Sequence, residues 1–278
     1  MFEGRKLLIA TKHEKEKVIA PVLENLLGVK CITAEDFDTD QLGTFSGEID
    51  RKDDPITTVR KKCYLAMTQM DCDMAIASEG SFGPHPFVFF VPADDEILMF
   101  IDKKNGLEII SRELSTETNF NAEQIKNEKE LRDFANTALF PSHALIARKS
   151  KEDYSEIHKG IQDWERLSAI CSNYFAQQGS VYIETDMRAL YNPTRMKLIE
   201  TVATKLAERI HTKCPNCQTP GFGITSSKKG LPCEMCHLPT RSTLCHVLTC
   251  QKCDYTKLHM YPNEKQFENP AYCDVCNP

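Results

Sequence analysis

Hydrophobic positions recur along this chain with two different periods, and the switches between them outline the fold. A short apolar run, Lys6 to Ala10, reads as a buried strand. After the polar turn TKHEKEK, apolar residues at Val18, Ile19, Val22, Leu23, Leu26 and Leu27 follow a helical period that Gly28 ends. Pro21 sits inside that run and implies a kink or a later helix start. VKCITA then resumes as a strand. Residues 36–53 are rich in Asp, Gly, Ser and Thr without helical period, and predict a long functional loop. Asp54-Pro55 supplies a cap and a first-turn proline for a helix whose apolar face is Ile56, Val59, Cys63, Ala66, Met67 and Met70.

DMAIA predicts a buried strand ending in a polar loop, SEGSFGPHP, and FVFFVP a further β-rich run. Asn105-Gly106 between EILMFIDKK and LEIISREL is a hairpin signal, because both central residues of the favoured turn need positive φ. Helical segments are predicted at 122–137 and 153–177, a strand at SVYIET, and a last helix opened by Asn192-Pro193 with Ile199, Val202, Ala203, Leu206 and Ile210 on its apolar face. The expectation is an α/β domain, a mixed sheet flanked by helices, over 1–210, followed by a small double zinc-ribbon module over 211–278.

Cysteine changes the picture at the C-terminus. Eight of the 13 cysteines form four Cys-x-x-Cys pairs: Cys214/Cys217, Cys233/Cys236, Cys250/Cys253 and Cys273/Cys276. Four thiolates close a tetrahedral ion, so the spacing predicts two structural zinc sites with no coordination position left for water. Sequential pairing is preferred over a cross-brace: the first site takes Cys214, Cys217, Cys233 and Cys236, the second Cys250, Cys253, Cys273 and Cys276. The stretches of 15 and 19 residues between them are long enough to fold back. His237 is a rival ligand, and Cys245 lies between the sites. A thiol-redox role is disfavoured.

Net charge is −6, which excludes a diffuse positive field for nucleic acid. The tail carries a formal +2, and each zinc tetrathiolate subtracts two charges, so the loaded module falls to −2. Only a local patch of Lys228, Lys229 and Arg241, with Phe222, Tyr255 or Tyr261 stacking on a base, favours single-stranded nucleic acid. No apolar run approaches the ~18 to 20 residues of a membrane span, and no secretory signal is evident, so a cytoplasmic address is expected.

Candidate chemistry in the α/β part collects at strand exits: Thr11-Lys12-His13, Ser78-Glu79-Gly80-Ser81 with His85, and Glu184 to Arg188 continuing to Asn192 and Arg195. Open α/β sheets bind ligands at the carboxyl ends of strands. Thr11 and Lys12 suit phosphate oxygens at a helix start, Glu79 alone or with Asp186 suits Mg²⁺, and Arg188 or Arg195 suits charge developing in phosphoryl transfer. Each has a plain alternative: a solvated Lys12, a turn-capping Glu79, an Arg188 paired with Asp186.

The segments SEGSFGPHP, ELSTETNF, ETDMRALYNPTRM, CPNCQTPGFG, LPCEMCHLPTRST and YCDVCNP resemble an uncharacterised bacterial family of unknown function. Separately, the order ATKHEKEKVIAPVL, polar loop, ITTVRKKCYLAM and DMAIASEGSFG is similar to nucleoside triphosphate pyrophosphatases of the inosine/xanthosine triphosphatase and Maf type. That second resemblance implies phosphate contacts at Thr11, Lys12, Lys17 and Arg60 and Mg²⁺ at Glu79. The chain departs from it in the zinc tail and in having one acidic residue where a pair is usual. Two functions are therefore expected to compete. One is binding or hydrolysis of a nucleotide or other phosphate-containing ligand with Mg²⁺, using Ser78 and Ser81 beside Glu79. The other is a non-enzymatic adaptor whose zinc ribbons bind a protein or single-stranded nucleic acid.

Overall fold

A computed structural model describes residues 1–33 and 53–278; the loop expected at 36–53 lies outside the described residues except for Asp53. Two compact units are present, Met1–Ala207 and Glu208–Pro278.

The first unit is α/β and holds two sheets. β1 (Lys6–Ala10), β2 (Lys30–Thr33), β3 (Met74–Pro84), β4 (Pro92–Asp102) and β5 (Leu107–Ser115) lie in the order β2-β1-β3-β4-β5. β2, β1 and β3 are parallel, and β4 and β5 antiparallel. α1 (Glu16–Leu27) links β1 to β2 and buries Ile19, Leu23 and Leu27, one apolar stripe. It runs through Pro21 and ends where Gly28 takes φ 66°. α2 (Pro55–Gln69) links β2 to β3, capped by Asp54, whose carboxylate accepts from the amides of Ile56 and Thr57. Its Val59, Cys63, Ala66 and Met67 pack on Leu8, Ala10, Ala75, Ala77, Ile97, Met99 and Ile101. Because side chains alternate along a strand, the opposite sheet face carries Leu7, Ile9, Ile76 and Ser78, all buried.

The hairpin predicted at Asn105-Gly106 joins β4 to β5, with Gly106 at φ 62°. Two expectations around it change. SEGSFGP is not a loop: it continues β3 to 11 residues, paired with β4 from Met74↔Asp102 to Pro84↔Pro92. FVFFV is not a strand but part of the turn that joins β3 to β4. There the His85 ring accepts from the amides of Phe87 and Val88, and Phe87, Phe89 and Phe90 are exposed.

The second sheet is antiparallel, in the order β6-β9-β7-β8, from β6 (Ala122–Ile125), β7 (Leu145–Arg148), β8 (Ile157–Ile161) and β9 (Val181–Thr185). α3 (Glu128–Thr137) and α4 (Trp164–Gln178) cover it, with Leu131, Phe134, Leu167, Cys171 and Tyr174 in a common core with Leu145, Ala147 and Ile183. The helices expected at 122–137 and 153–177 are thus each a strand followed by a shorter helix. Asn127 and Asp163 cap the amides that start α3 and α4, and pairing with β9 and β7 claims the residues before them. α5 (Pro193–His211) buries the five apolar residues its periodicity indicates.

In the second unit β10 (Gly223–Lys229), β11 (Thr243–Thr249) and β12 (Thr256–Met260) form an antiparallel sheet in chain order.

Candidate functional site

Each of the first three Cys-x-x-Cys pairs builds the same turn. The residue after the second cysteine returns its amide to the carbonyl of the first: Gln218 to Cys214 at 2.9 Å, His237 to Cys233 at 3.0 Å and Asp254 to Cys250 at 3.1 Å. Those three residues share φ values of 55° to 59°, a left-handed turn that aims two sulfurs in one direction. Asn277 closes the fourth pair onto Cys273 at 2.9 Å.

The tetrads interleave. Cys214, Cys217, Cys250 and Cys253 form one group and Cys233, Cys236, Cys273 and Cys276 the other, with the ligand atoms of each group within 4.8 Å of one another. Sequential pairing is therefore corrected, and strand length gives the reason. β10 separates the first pair from the second by seven extended residues, about 23 Å. Antiparallel pairing sets Gly223, just after the first pair, against Thr249, just before the third. β12 then runs back along β11 to Met260 opposite Cys245, delivering the fourth pair to the second.

Sulfur separations of 3.7 Å (Cys214–Cys253), 3.6 Å (Cys217–Cys250), 3.8 Å (Cys233–Cys276) and 3.6 Å (Cys236–Cys273) fit the donor set to zinc. A tetrahedron with Zn–S near 2.3 Å has edges of about 3.8 Å. Thr219 Oγ1 lies 3.1 Å from Cys217 sulfur, where its hydroxyl can donate once the thiol is ionised, and the Asn216 amide donates to Cys253 sulfur at 3.5 Å. His237 is outside both tetrads, its ring against Phe267, and Cys245 is buried in β11. Phe222 is buried against Tyr255, and Arg241 pairs with Asp274, so those members of the suggested nucleic-acid patch are engaged within the module.

In the first unit a second cluster gathers where β1 ends beside β3. β1 is joined to β2 on one side and to β3 on the other, which makes this the topological switch point of the parallel strands. His13 and Glu14 both adopt positive φ, 66° and 60°, and this tight loop turns Lys15 inward at the start of α1. Its Nζ donates to Ser78 Oγ at 2.8 Å, and only 5 % of the residue is exposed. Burial, then the nearby Arg195 cation, pushes the Lys15 ammonium down to about 7.

On the α2 face of β3, Lys62 donates to buried Glu79. On the other face Gly80 lies opposite Glu96 of β4, and Arg195 Nε donates to Glu96 Oε1 at 2.6 Å with both side chains fully buried. Arg195 also donates to the Met187 carbonyl and lies 4.9 Å from the Phe82 ring centre. Gly80 is required: a Cβ there would overlap Glu96 Oε1 and come within 2.5 Å of Arg195 Nη2. Asp94, two residues from Glu96 on the same face, is buried, and burial with the Glu96 charge pushes its carboxyl up to about 8.

Of the residues singled out from the sequence, Ser78 and Arg195 thus lie on one face of β3 with Lys15, Asp94 and Glu96, and Glu79 lies on the other face with Lys62. The others lie elsewhere or are engaged differently. Thr11 Oγ1 donates to the Lys12 carbonyl, and Lys12 is half-exposed. Lys17 pairs with Glu14 at 2.6 Å on the surface. Arg60 holds Glu108 through two nitrogens. Ser81 lines an open cavity of about 400 Å³ with Asp95, Arg112 and Leu114. Arg188 grips Asp186 at 2.5 Å, and Asp186 also accepts from the Gly160 amide at 3.1 Å, which is the internal pairing that competed with a catalytic role. Lys15 was not among the candidates, Lys12 and Lys17 being chosen instead; its spacing of four from Thr11 is the signal that could have found it. Asp94 and Glu96 carried no motif, since they sit in a run of three consecutive acids that only interrupts an apolar stretch.

No helix among the described residues is long and apolar enough to cross a membrane. A comparison with curated proteins gave no match. A comparison with protein families matches residues 62–278, which take in Lys62, Glu79, Asp94, Glu96, Arg195 and all eight tetrad cysteines, to a domain of unknown function, DUF6671. Two cysteine tetrads able to hold zinc, following a mixed α/β unit, are thus features of a chain that belongs to the DUF6671 family.

Proposed function

We propose that the α/β unit binds a phosphate-containing ligand of nucleotide class at the switch point, with Mg²⁺, and that the two zinc sites are structural. The observation that carries this reading is the burial of three cations around β3 where β1 ends, Lys15 and Arg195 with Ser78 on one face and Lys62 with Glu79 on the other. A buried cation is costly unless an anion meets it: Lys62 and Arg195 each pair with a carboxylate, whereas Lys15 donates to the neutral Ser78 hydroxyl, at the positive end of the α1 dipole. In this reading Lys15 and Lys62 contact phosphate oxygens, Arg195 neutralises charge that develops on transfer, and Ser78 positions Lys15.

A thermal-shift panel of nucleoside mono-, di- and triphosphates and pyrophosphate, with Mg²⁺ and zinc-loaded protein, tests this. At a hundredfold excess over Kd a ligand adds about 2.7 kcal/mol. That is a shift of roughly 5 to 10 °C for a chain of this size. The shift is expected for at least one member and is lost in Lys15→Met. Silence across the whole panel rejects the reading. Phosphate or pyrophosphate release, absent in Glu79→Gln, separates hydrolysis from binding.

A second, compatible role for the zinc module rests on Met235, Phe267, Tyr272 and Val275, which are exposed around the Cys233/Cys236/Cys273/Cys276 tetrad. Apolar side chains held on a rigid metal-braced turn suit a protein partner. A co-purifying protein lost on Met235→Ser/Tyr272→Ser, with zinc content unchanged, is the expected result.

A further inference from the structure

We infer that Asp94 and Glu96 form a divalent-cation site of the Mg²⁺ or Mn²⁺ class, facing Lys15 and Arg195 across the α1 side of the five-stranded sheet. The two carboxylates stand two residues apart on β4 and so project from the same face. Both are buried, at 1 % and 0 % exposure. Glu96 gives one oxygen to Arg195, while Glu96 Oε2 and Asp94 Oδ1 accept no hydrogen bond among the described residues. A buried carboxylate oxygen without a donor carries a large desolvation cost, and a hard cation relieves it for two such oxygens together.

The neighbouring acids are already committed. Glu79 holds Lys62, Asp95 takes Arg112 at 2.5 Å from the other face, and Asp186 takes Arg188. This moves the metal ligands from Glu79 and Asp186, where sequence alone placed them, to a strand that showed no motif. Gly80 contributes by absence of a side chain, since its bare backbone lies opposite Glu96. Two carboxylates, with other coordination positions left to water or a ligand oxygen, are the ordinary protein share of a Mg²⁺ site.

Charge balance adds a consequence. Lys15, Lys62 and Arg195 formally offset Glu79, Asp94 and Glu96, so a divalent cation adds two positive charges that a phosphate dianion cancels. Cation and phosphate should therefore bind cooperatively; this clause alone rests on the phosphate reading above.

The test uses full-length, zinc-loaded protein and Mn²⁺ followed by electron paramagnetic resonance, with Mn²⁺ alone, pyrophosphate alone and both together. One equivalent of Mn²⁺ is expected to bind and to compete with Mg²⁺. Affinity should fall about tenfold or more in Asp94→Asn and stay unchanged in Asp95→Asn, with zinc content and melting checked for each. Should Asp94→Asn fail to fold, sub-stoichiometric Mn²⁺ on the unsubstituted chain should broaden the Ser78 and Gly80 amide resonances before those of β12. Failure to take up Mn²⁺ with or without pyrophosphate, binding indifferent to Asp94→Asn, or broadening that starts at the cysteine turns each overturns the site. Pyrophosphate stabilising the protein without metal would leave the phosphate reading standing while this one fell.

Discussion

Replacing Cys217 and Cys253 together by serine takes two thiolates from one tetrahedron and none from the other, because those sulfurs belong to the Cys214/Cys217/Cys250/Cys253 group. The double variant should retain one zinc per chain. Replacing Cys217 and Cys236 instead takes one thiolate from each group, leaving two three-sulfur sites and no intact one. Sequential pairing predicts the reverse, so zinc counting distinguishes the two connectivities without a further structure. The magnitude is large: a structural zinc site contributes on the order of 10 to 16 kcal/mol of apparent binding energy to folding at neutral pH. Loss of two of four ligands forfeits most of that for one site. The geometric margin is also wide. Sulfurs in each tetrad lie 3.6 to 3.8 Å apart across the interleaved pairs, against the roughly 23 Å span of β10 between the first and second pairs. Native mass spectrometry and elemental analysis of protein prepared with limiting zinc provide the count. One zinc in the Cys217/Cys236 variant and none in the Cys217/Cys253 variant would refute the interleaved arrangement.

Other substitutions probe the α/β unit. Gly80→Ala drives a Cβ into the buried Glu96–Arg195 pair and should cost about 3 kcal/mol or more, read as a lower urea midpoint; a midpoint unchanged from the parent would contradict the packing. Asp54→Ala removes the carboxylate that caps the first turn of α2 and should lower the midpoint in the same assay, with Asp54→Asn largely restoring it. His143 is held below its ordinary range, chiefly by burial, and its Nε2 accepts from the Thr194 amide at 3.3 Å. Because the folded state disfavours the imidazolium, its contribution is present above the unfolded value near 6.5 and is lost as pH falls toward the lowered folded value. Tm should therefore drop between pH 7 and pH 5 more steeply in the parent than in His143→Gln, and parallel curves would remove His143 from the account.

Local physics made much of this chain readable in advance. The helical periods of α1, α2 and α5, the Asp54-Pro55 cap, the Asn105-Gly106 turn and the four Cys-x-x-Cys pairs each depend on residues within a few positions of one another. Residues 122–125 and 157–161 misled because their side chains tolerate a helix, while β9 and β7, distant in sequence, capture them as strands. SEGSFGP looked like a loop because glycine, serine and proline are turn formers; 11 residues of ladder with β4 override that preference.

Sequence by itself determined that eight thiols come as four pairs, since a chelating turn needs only four consecutive residues and a left-handed one to close it. Which pairs share an ion was decided by antiparallel strand length, a property of the assembled β10–β11–β12 sheet. The charged cluster follows the same division: Ser78, Glu79 and Arg195 were visible as residue types, but burial of Lys15, Lys62, Asp94 and Glu96 around them required β1, β3, β4 and the three helices to pack. Burial is what makes a surface-type residue chemically consequential, and no stretch of sequence encodes it locally.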